Sequence, residues 1–174
     1  QAGNDRVLKV MNRRHTRAEY LEKISRLKEL IPDIVLTSDI IVGFPGETTR
    51  EFEDTLKVLE EVRFDALFTF IFSPRPGTPA AEMDDPMPRE EKLANFNRLT
   101  ALQDKISEEK HAAYVGRTLR CLIDAPSDDA RYDFSARTPG NRLVRVAGSG
   151  ARPGQFRDVR ITDSNKWSLS GELV

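Results

Sequence analysis

The spacing of apolar residues predicts two amphipathic helices in the first part of the chain. The stretch "TRAEYLEKISRLKELIP" places its apolar residues on one helical face and opens with Thr16 three residues before Glu19, which is the spacing of a capping box. The same spacing recurs at Thr48 and Glu51, where a second one-sided apolar pattern begins. We therefore expect helices that start at both threonines.

Two β-branched runs alternate with these helices. The runs "IVLTSDIIVGF" (34–44) and "DALFTFIFSP" (65–74) are too short, and too closely flanked by breakers, to be helices. Their nearly continuous apolar character is typical of parallel strands that are covered on both faces. The order helix, strand, helix, strand predicts an α/β unit with right-handed crossovers. A proline-rich loop follows, and a long helix is predicted from Pro88 to about His111.

The pattern changes after Gly116. Five short alternating runs are separated by clusters of Pro, Gly, Asp and Asn within some sixty residues. Strands of this length and spacing predict a small closed barrel of the OB-like kind. We therefore expect two domains, residues 1–111 and residues 112–174.

Composition and charge narrow the class of protein. The chain has 174 residues, of which 39% are apolar, which is enough for a real core. No run approaches the roughly 18 apolar residues of a membrane span, and residues 1–20 do not resemble a signal peptide, so a cytoplasmic protein without membrane contact is expected. Residues 1–111 carry 17 Lys and Arg against 21 Asp and Glu, whereas residues 112–174 carry 10 against 7. The second domain is therefore basic, with a balance of +3.

Cysteine usage argues against a metal centre. Cys121 is the single cysteine, so an internal disulfide and a cysteine-based metal cage are both excluded, and no metal site is expected. Because Cys121 alternates with apolar neighbours in a predicted strand, we expect it to be a small buried residue.

The corner "GFPGET" (43–48) follows the first predicted strand. In α/β folds, ligands gather at the carboxyl ends of the strands, so this position suits a binding loop. The corner lacks the lysine of a phosphate loop and the three glycines of a dinucleotide fingerprint. A purely structural turn, in which two glycines permit a tight backbone, is the alternative.

Several motifs in fixed order carry a family resemblance. The stretches "DRVLKVMNRRHT", "LTSDIIVGFPGETTREFEDTL", "FDALFTFIFSPRPGTPAAEM", "LQDKIS" and "PGQFRDVRITDSNKWSLSGEL" together resemble the radical S-adenosylmethionine (SAM) tRNA methylthiotransferases of the 2-methylthio-N6-isopentenyladenosine synthase type. The resemblance implies an α/β fold, the C-terminal part of a partial (β/α) radical SAM barrel, over residues 1–111. It implies a TRAM domain, a small five-stranded OB-like RNA-binding β-barrel, over residues 112–174.

The resemblance also implies a reaction. The family adds a methylthio group to C2 of N6-isopentenyladenosine next to the anticodon of tRNA, using SAM and two four-iron four-sulfur clusters. The anticodon stem-loop is the implied partner, and the sulfur donor stays open. Since the family's cluster cysteines do not occur here, we expect the chain to be a fragment that is inactive alone and holds no catalytic residue.

By the same resemblance, five residues are candidates for SAM binding: Gln1, Arg13, Asp39, Val42 and Phe44. Among them, Asp39 lies in an apolar strand, where a carboxylate is costly to bury without a partner. The alternatives for Asp39 are a polar barrel interior or a structural ion pair with Arg13 or Arg75. For Val42, core packing is the alternative.

Four residues are candidates for RNA binding: Arg75, Arg137, Arg142 and Lys166. A solvated basic surface is the alternative interpretation. Trp167 shares its predicted strand face with Leu169, so it is expected in the core rather than as a stacking platform.

Three functions stay open at this point. The first is the isopentenyladenosine-specific reaction. The second is methylthiolation of threonylcarbamoyladenosine in tRNA or of a ribosomal protein, as in related enzymes. The third is a non-catalytic RNA-binding module.

Overall fold

The computed structural model describes all 174 residues, and they form two compact units. The first unit comprises Gln1–Asp104 and the second comprises Lys105–Val174. No helix in either unit has both the length and the apolar character that a membrane crossing requires.

The first unit is built from four helices and a two-stranded sheet. Both predicted capping boxes are present, since the side chains of Thr16 and Thr48 accept from the backbone of Glu19 and Glu51, whose carboxylates bond back. The elements in chain order are α1 (Asp5–Val10), α2 (Arg17–Leu30), β1 (Thr37–Val42), α3 (Thr49–Val62), β2 (Ala66–Ile71), a 3-10 turn (Pro79–Ala81) and α4 (Arg89–Ala112), the last of which runs into the second unit.

The two strands pair in parallel, as the sequence predicted, but only one face of their sheet is covered. On the covered face, Ile40 is 3% exposed and packs with side chains of α2, α3 and α4. On the other face, Asp39 pairs in register with Phe68, and Ile41 pairs with Phe70. The two phenylalanines are 60% and 54% exposed. The prediction of strands covered on both faces is therefore wrong, because all three helices pack against the same side.

Helix α1 was not predicted, because six residues are too few to show a helical period. Asn4 caps it: the side-chain oxygen accepts from the backbone N–H groups of Arg6 and Val7. The preceding Gly3 lies against α3 and donates to the Thr55 hydroxyl at 2.8 Å. A Cβ at this glycine would lie 2.4 Å from the Asp54 carbonyl oxygen, so only glycine permits this approach.

The second unit contains the predicted five-stranded closed barrel. The strands are β3 (Thr118–Pro126), β4 (Phe134–Arg137), β5 (Leu143–Ala147), β6 (Phe156–Ser164) and β7 (Leu169–Leu173). Their order around the barrel is β3-β4-β5-β7-β6, and β6 closes it by pairing with β3. All contacts are antiparallel except that between β5 and β7. Closure leaves this sheet without the free edge that an open sheet presents.

Small and β-branched residues fill the barrel interior. Cys121, Ile123, Val144 and Val159 are all fully buried. The prediction for Cys121 is thus confirmed, and burial raises the pKa of its thiol to about 11. The thiol therefore stays protonated at neutral pH and serves packing rather than chemistry.

Candidate functional site

An open cleft of about 500 Å³ lies on the uncovered face of the sheet, toward the carboxyl ends of β1 and β2. Four of the predicted site residues contribute to it, namely Gln1, Asp39, Phe44 and Arg75. Apolar side chains supply much of the remaining wall: Ile41, Phe70, Ile71 and Phe72. The cleft thus combines apolar walls with one carboxylate, one amide and one guanidinium, a composition typical of a small-molecule site.

Asp39 is an exposed acceptor in this cleft. Its carboxylate takes part in no ion pair, although Arg75 lines the same cleft. The alternative of a structural ion pair with Arg13 or Arg75 is therefore wrong. Because the side chain is solvated on the open face of β1, the burial cost that argued for such a pair does not arise.

Gln1 is held beside β1 by two bonds. The backbone N–H of Ile41 donates to the Gln1 carbonyl at 3.1 Å, and the Arg13 guanidinium donates to the side-chain oxygen of Gln1. Arg13 does not line the cleft itself. It can influence the cleft by orienting the Gln1 amide, whose NH₂ group remains as a donor.

The two remaining SAM candidates lie in different environments. Val42 is 0% exposed and belongs to the core between the sheet and the helices, so its expected place in the pocket wall is wrong and the packing alternative holds. Phe44 lines the cleft and meets Phe72 edge-on, with ring centroids 5.2 Å apart and an interplanar angle of 69°. Side chains alternate between cleft and core along β1 itself, and Phe44, which lies beyond the strand and after Gly43, departs from that alternation.

The corner after β1 is a tight, internally bonded turn. Gly43 and Gly46 adopt φ of 69° and 75°, a region that favours glycine. A Cβ at Gly43 would lie 2.5 Å from Cγ of Lys92. The backbone N–H of Glu47 donates to the Phe44 carbonyl at 2.8 Å. The corner is thus structural in its backbone, and through Phe44 it also forms part of the cleft wall.

Glu47 is a residue that the sequence reasoning missed. It is 3% exposed, and one of its carboxylate oxygens accepts from the N–H of Gly43 at 2.7 Å. Burial raises the pKa of this carboxyl to about 7, against the opposing effects of two backbone donors and of Lys92. The signal available in the sequence was a carboxylate that directly follows the Gly-Phe-Pro-Gly corner. By its bond with Gly43, Glu47 fixes the backbone from which Phe44 projects.

Helix α1 supports the same corner from outside. The Arg6 guanidinium donates to the Gly46 carbonyl at 2.6 Å and binds both carboxylate oxygens of Glu51, one of them at 2.7 Å. This bond with Arg6 lowers the pKa of Glu51 to about 2. The corner is therefore held between the buried Glu47 carboxyl, whose pKa is raised, and the partly buried Glu51 carboxylate, whose pKa is lowered.

The basic residues of the barrel divide into surface and buried groups. Arg137 is partly exposed, with an ion pair to Asp124 at 3.6 Å. Arg142 is only 9% exposed, and its guanidinium lies 3.2 Å from the His111 ring nitrogen Nε2 and 5.1 Å from the Tyr114 ring centre. The assumption that Arg142 is a surface cation is therefore wrong, because it packs against these two side chains.

Trp167 is 72% exposed, so its predicted place in the core is wrong. Strand β7 begins only at Leu169, and the alternation used for the prediction does not extend into the turn before it. The Asn165 side-chain oxygen accepts from the N–H groups of Trp167 and Ser168 at 2.7 and 2.9 Å. Lys166 Nζ lies 4.9 Å from the indole centre. The structure thus places Lys166 and Trp167 together on an ordered surface turn.

Comparison with known protein families finds a match within each unit. Residues 1–59 match the family model of the radical SAM superfamily, and residues 112–174 match that of the TRAM domain. Proteins named tRNA-2-methylthio-N(6)-dimethylallyladenosine synthase from Acetivibrio thermocellus, Anoxybacillus flavithermus and Bacillus cereus (strain B4264) are each 45% identical over all 174 residues. The chain covers 36%, 33% and 34% of these proteins, respectively.

These matches define first a class: the chain joins part of a radical SAM domain to a TRAM domain. More specifically, the predicted resemblance to the tRNA methylthiotransferases of the dimethylallyladenosine type is confirmed over the whole chain. The chain spans about a third of the length of the curated relatives it matches.

The residues present fit SAM but not an iron–sulfur cluster. A cluster requires several thiolates, whereas Cys121 is the single cysteine and is buried within the barrel. No group of three or more His, Cys, Asp or Glu side chains could hold a metal ion. The cleft, by contrast, offers an aromatic wall together with the Asp39 carboxylate and the Gln1 amide. These groups suit the adenine, ammonium and hydroxyl groups of SAM.

Proposed function

We propose that the whole protein represented by this chain adds a methylthio group to C2 of N6-isopentenyladenosine in tRNA, next to the anticodon. Isopentenyl and dimethylallyl denote the same substituent here. The observation that carries the proposal is 45% identity, over every position of the chain, to proteins named for that reaction. Their name favours this substrate over threonylcarbamoyladenosine and over a ribosomal protein.

Within this function, the cleft contributes to binding SAM, which supplies the methyl group and the radical chemistry when bound. The Asp39 carboxylate accepts from an ammonium or hydroxyl donor, and the Gln1 amide, oriented by Arg13, donates to a carboxylate or hydroxyl. Phe44 and Phe70 provide apolar walls that exclude water from the ligand. The support is that these groups border one cleft. The two clusters of the family would be held by residues outside this chain.

The barrel contributes to binding the anticodon stem-loop. Its match to the TRAM domain and its +3 charge support this role. Arg137 and Lys166 remain the proposed RNA contacts on the barrel, and Arg142 is removed from that set because it is buried. Arg75, which lines the cleft of the first unit, remains a proposed contact to RNA phosphate.

Analysis of modified nucleosides tests the reaction. The gene for the whole protein is expressed in a bacterial strain that makes isopentenyladenosine but cannot methylthiolate it, and tRNA nucleosides are quantified by mass spectrometry. We expect the methylthio form of isopentenyladenosine to appear and threonylcarbamoyladenosine to remain unmodified. Unchanged isopentenyladenosine would overturn the proposal and would leave the non-catalytic RNA-binding module as the better interpretation.

A matched pair of carboxylate variants tests the cleft. In the whole protein, Asp39→Asn should weaken SAM binding at least about tenfold, since a charge-assisted bond contributes roughly 1.5–3 kcal/mol. Asp33→Asn makes the same charge change at an exposed residue before β1 and should leave SAM affinity unchanged. Calorimetric titration with SAM is the measurement. Equal affinity in both variants would exclude Asp39 from SAM binding.

A further inference from the structure

A second cleft, of about 600 Å³, lies on the outer surface of the barrel, and of its lining residues the function proposed above uses only Arg137. Its base is a row of three residues on adjacent strands: Phe156 on β6 pairs with Leu122 on β3, and Leu122 pairs with Arg137 on β4. Cross-strand partners lie about 5 Å apart and point to the same face of a sheet. The row therefore places an aromatic ring, an apolar side chain and a guanidinium side by side.

The row faces outward because of the alternation along β3. Cys121 and Ile123, on either side of Leu122, are both 0% exposed inside the barrel. Phe156 is 57% exposed, although it begins a strand whose inward residues are fully buried. A large aromatic ring in this position contributes little to the barrel core, so most of its apolar surface is available to a ligand.

One wall of the cleft is the turn between β4 and β5. Thr138 and Arg142 exchange two bonds, one of them from the Arg142 N–H to the Thr138 hydroxyl at 3.1 Å. The Asn141 N–H donates to the Thr138 carbonyl at 2.9 Å, and Pro139 lies within the turn. These bonds form the wall before any ligand arrives, which lowers the entropic cost of binding.

Cations lie at both ends of the row. The Arg120 guanidinium is 5.9 Å from the ring centre of Phe156 and 3.7 Å from the Asp158 carboxylate. Arg137 pairs with Asp124 at 3.6 Å. Ion pairs that are long and exposed to water contribute little stability, so both guanidiniums can turn to a phosphate at small cost.

We propose that this cleft binds one unpaired nucleotide of RNA, whose base stacks on Phe156 above Leu122 while Arg120 and Arg137 contact the flanking phosphates. The proposal rests on the proposed function only for the identity of the nucleic acid. The base must be unpaired, because both faces of a base inside a duplex are covered by its neighbours. Asp124 and Asn141, which also line the cleft, supply polar atoms for the edge of the base.

The aromatic ring also distinguishes recognition of a base from binding of phosphates by charge alone. A basic surface that only tracks phosphates needs no aromatic ring, whereas binding of single strands combines a charged groove with stacking platforms. The contribution of Phe156 to the free energy of RNA binding should therefore be independent of salt concentration, whereas the contribution of Arg137 should decrease as salt rises.

The test measures binding of a single-stranded RNA of about 12 nucleotides to the full chain by fluorescence anisotropy at several salt concentrations. Phe156→Ala should weaken binding roughly 5- to 150-fold without changing the salt slope, since stacking contributes about 1–3 kcal/mol per base. Phe156→Tyr keeps an aromatic ring and should retain nearly full affinity. Phe156→Leu is apolar but not aromatic and should bind RNA as weakly as Phe156→Ala. Circular dichroism and thermal unfolding of each variant establish that the barrel is folded.

RNA in which one nucleotide at a time lacks its base provides the decisive control. An abasic site at the stacked position should weaken binding to the unaltered chain and should have no further effect on Phe156→Ala. If folded Phe156→Ala binds as tightly as the unaltered chain, or if the two losses are simply additive at every position, the stacking proposal is overturned while RNA binding stands. If the chain binds no RNA at all, both this proposal and the RNA-binding part of the proposed function fail.

Discussion

The two units use their sheets in opposite ways. In the first unit, the helices cover one face of a two-stranded sheet, and the other face presents Asp39, Phe68 and Phe70 to solvent. In the second unit, five strands close on themselves and fill their interior with residues such as Ile123 and Val144. The proposed ligand groups lie on the open sheet face in one unit and on the outer barrel surface in the other.

This difference shows how the core of each unit determines where a ligand can bind. The small closed barrel is filled by its own side chains, so its recognition surface must be external. In the first unit the helices cover one face of the parallel sheet, and the other face borders a concave cleft that suits a small molecule. The two units are therefore suited to different ligands, which matches the proposed division between SAM and tRNA.

The largest expected effect is the difference in lost stability between a substitution in the closed barrel and one on the open sheet face. Leu169→Ala, at a fully buried barrel position, should lower the free energy of unfolding by about 2–5 kcal/mol, because the barrel cannot collapse around the cavity. Phe70→Ala removes a larger side chain from the open face, where it is 54% exposed, and should cost less than about 1 kcal/mol. Denaturant unfolding followed by circular dichroism measures both. Similar losses would mean that the open face is packed in solution.

The second expected effect concerns the corner at residues 43–48, next to the cleft of the first unit. The pKa of Glu47 is raised to about 7 in the folded chain, so its stabilising contribution is complete below about pH 4.5 and is lost as the pH rises through 7. Over that range this residue should lower the free energy of unfolding by about 3 kcal/mol. Glu47→Gln keeps an oxygen that can accept from Gly43 and should remove this part of the pH dependence. Urea unfolding between pH 4.5 and 8 measures the difference.

Glu51, one turn away, is the matched control with the opposite sign. Its pKa is lowered to about 2, chiefly by the bond with Arg6, so its contribution is present above about pH 4.5 and is lost as the pH falls through 2. The charged groups around Glu47 are Glu51, Lys92 and Arg6. Glu51→Gln should therefore leave the decline between pH 4.5 and 7 in place. If Glu47→Gln shows the same decline as the unaltered chain, Glu47 is not the titrating group.

The smallest expected effect separates two arginines of the barrel. Arg142→Ala removes buried contacts with His111 and Tyr114 and should cost about 1–3 kcal/mol of stability, with no change in the salt dependence of RNA binding. Arg137→Ala should leave stability within about 0.5 kcal/mol and reduce the slope of log affinity against log salt by roughly 0.7–0.9. Thermal unfolding and a salt series of binding measurements are compared for both. An identical slope for the two variants would contradict the proposed phosphate contact.

The sequence by itself determined the elements whose cause is local. The capping boxes at Thr16 and Thr48, the parallel strands and the five-stranded barrel all follow from spacing and periodicity, because neighbouring residues suffice to specify them. The motifs also sufficed for the family resemblance. Three of the five residues predicted for SAM, Gln1, Asp39 and Phe44, do line one cleft.

Only the tertiary structure decided which faces are covered and which charges have partners. The apolar strand runs gave no sign that Phe68 and Phe70 are exposed, because coverage depends on where distant helices pack. Likewise, Arg142 is buried because it packs against His111 and Tyr114 at the end of α4, and Trp167 is exposed because the turn before β7 interrupts the alternation that predicted its burial. The bonds of Glu47 to Gly43 and of Arg6 to Glu51 arise from the folded corner, where backbone geometry, rather than composition, brings these groups together.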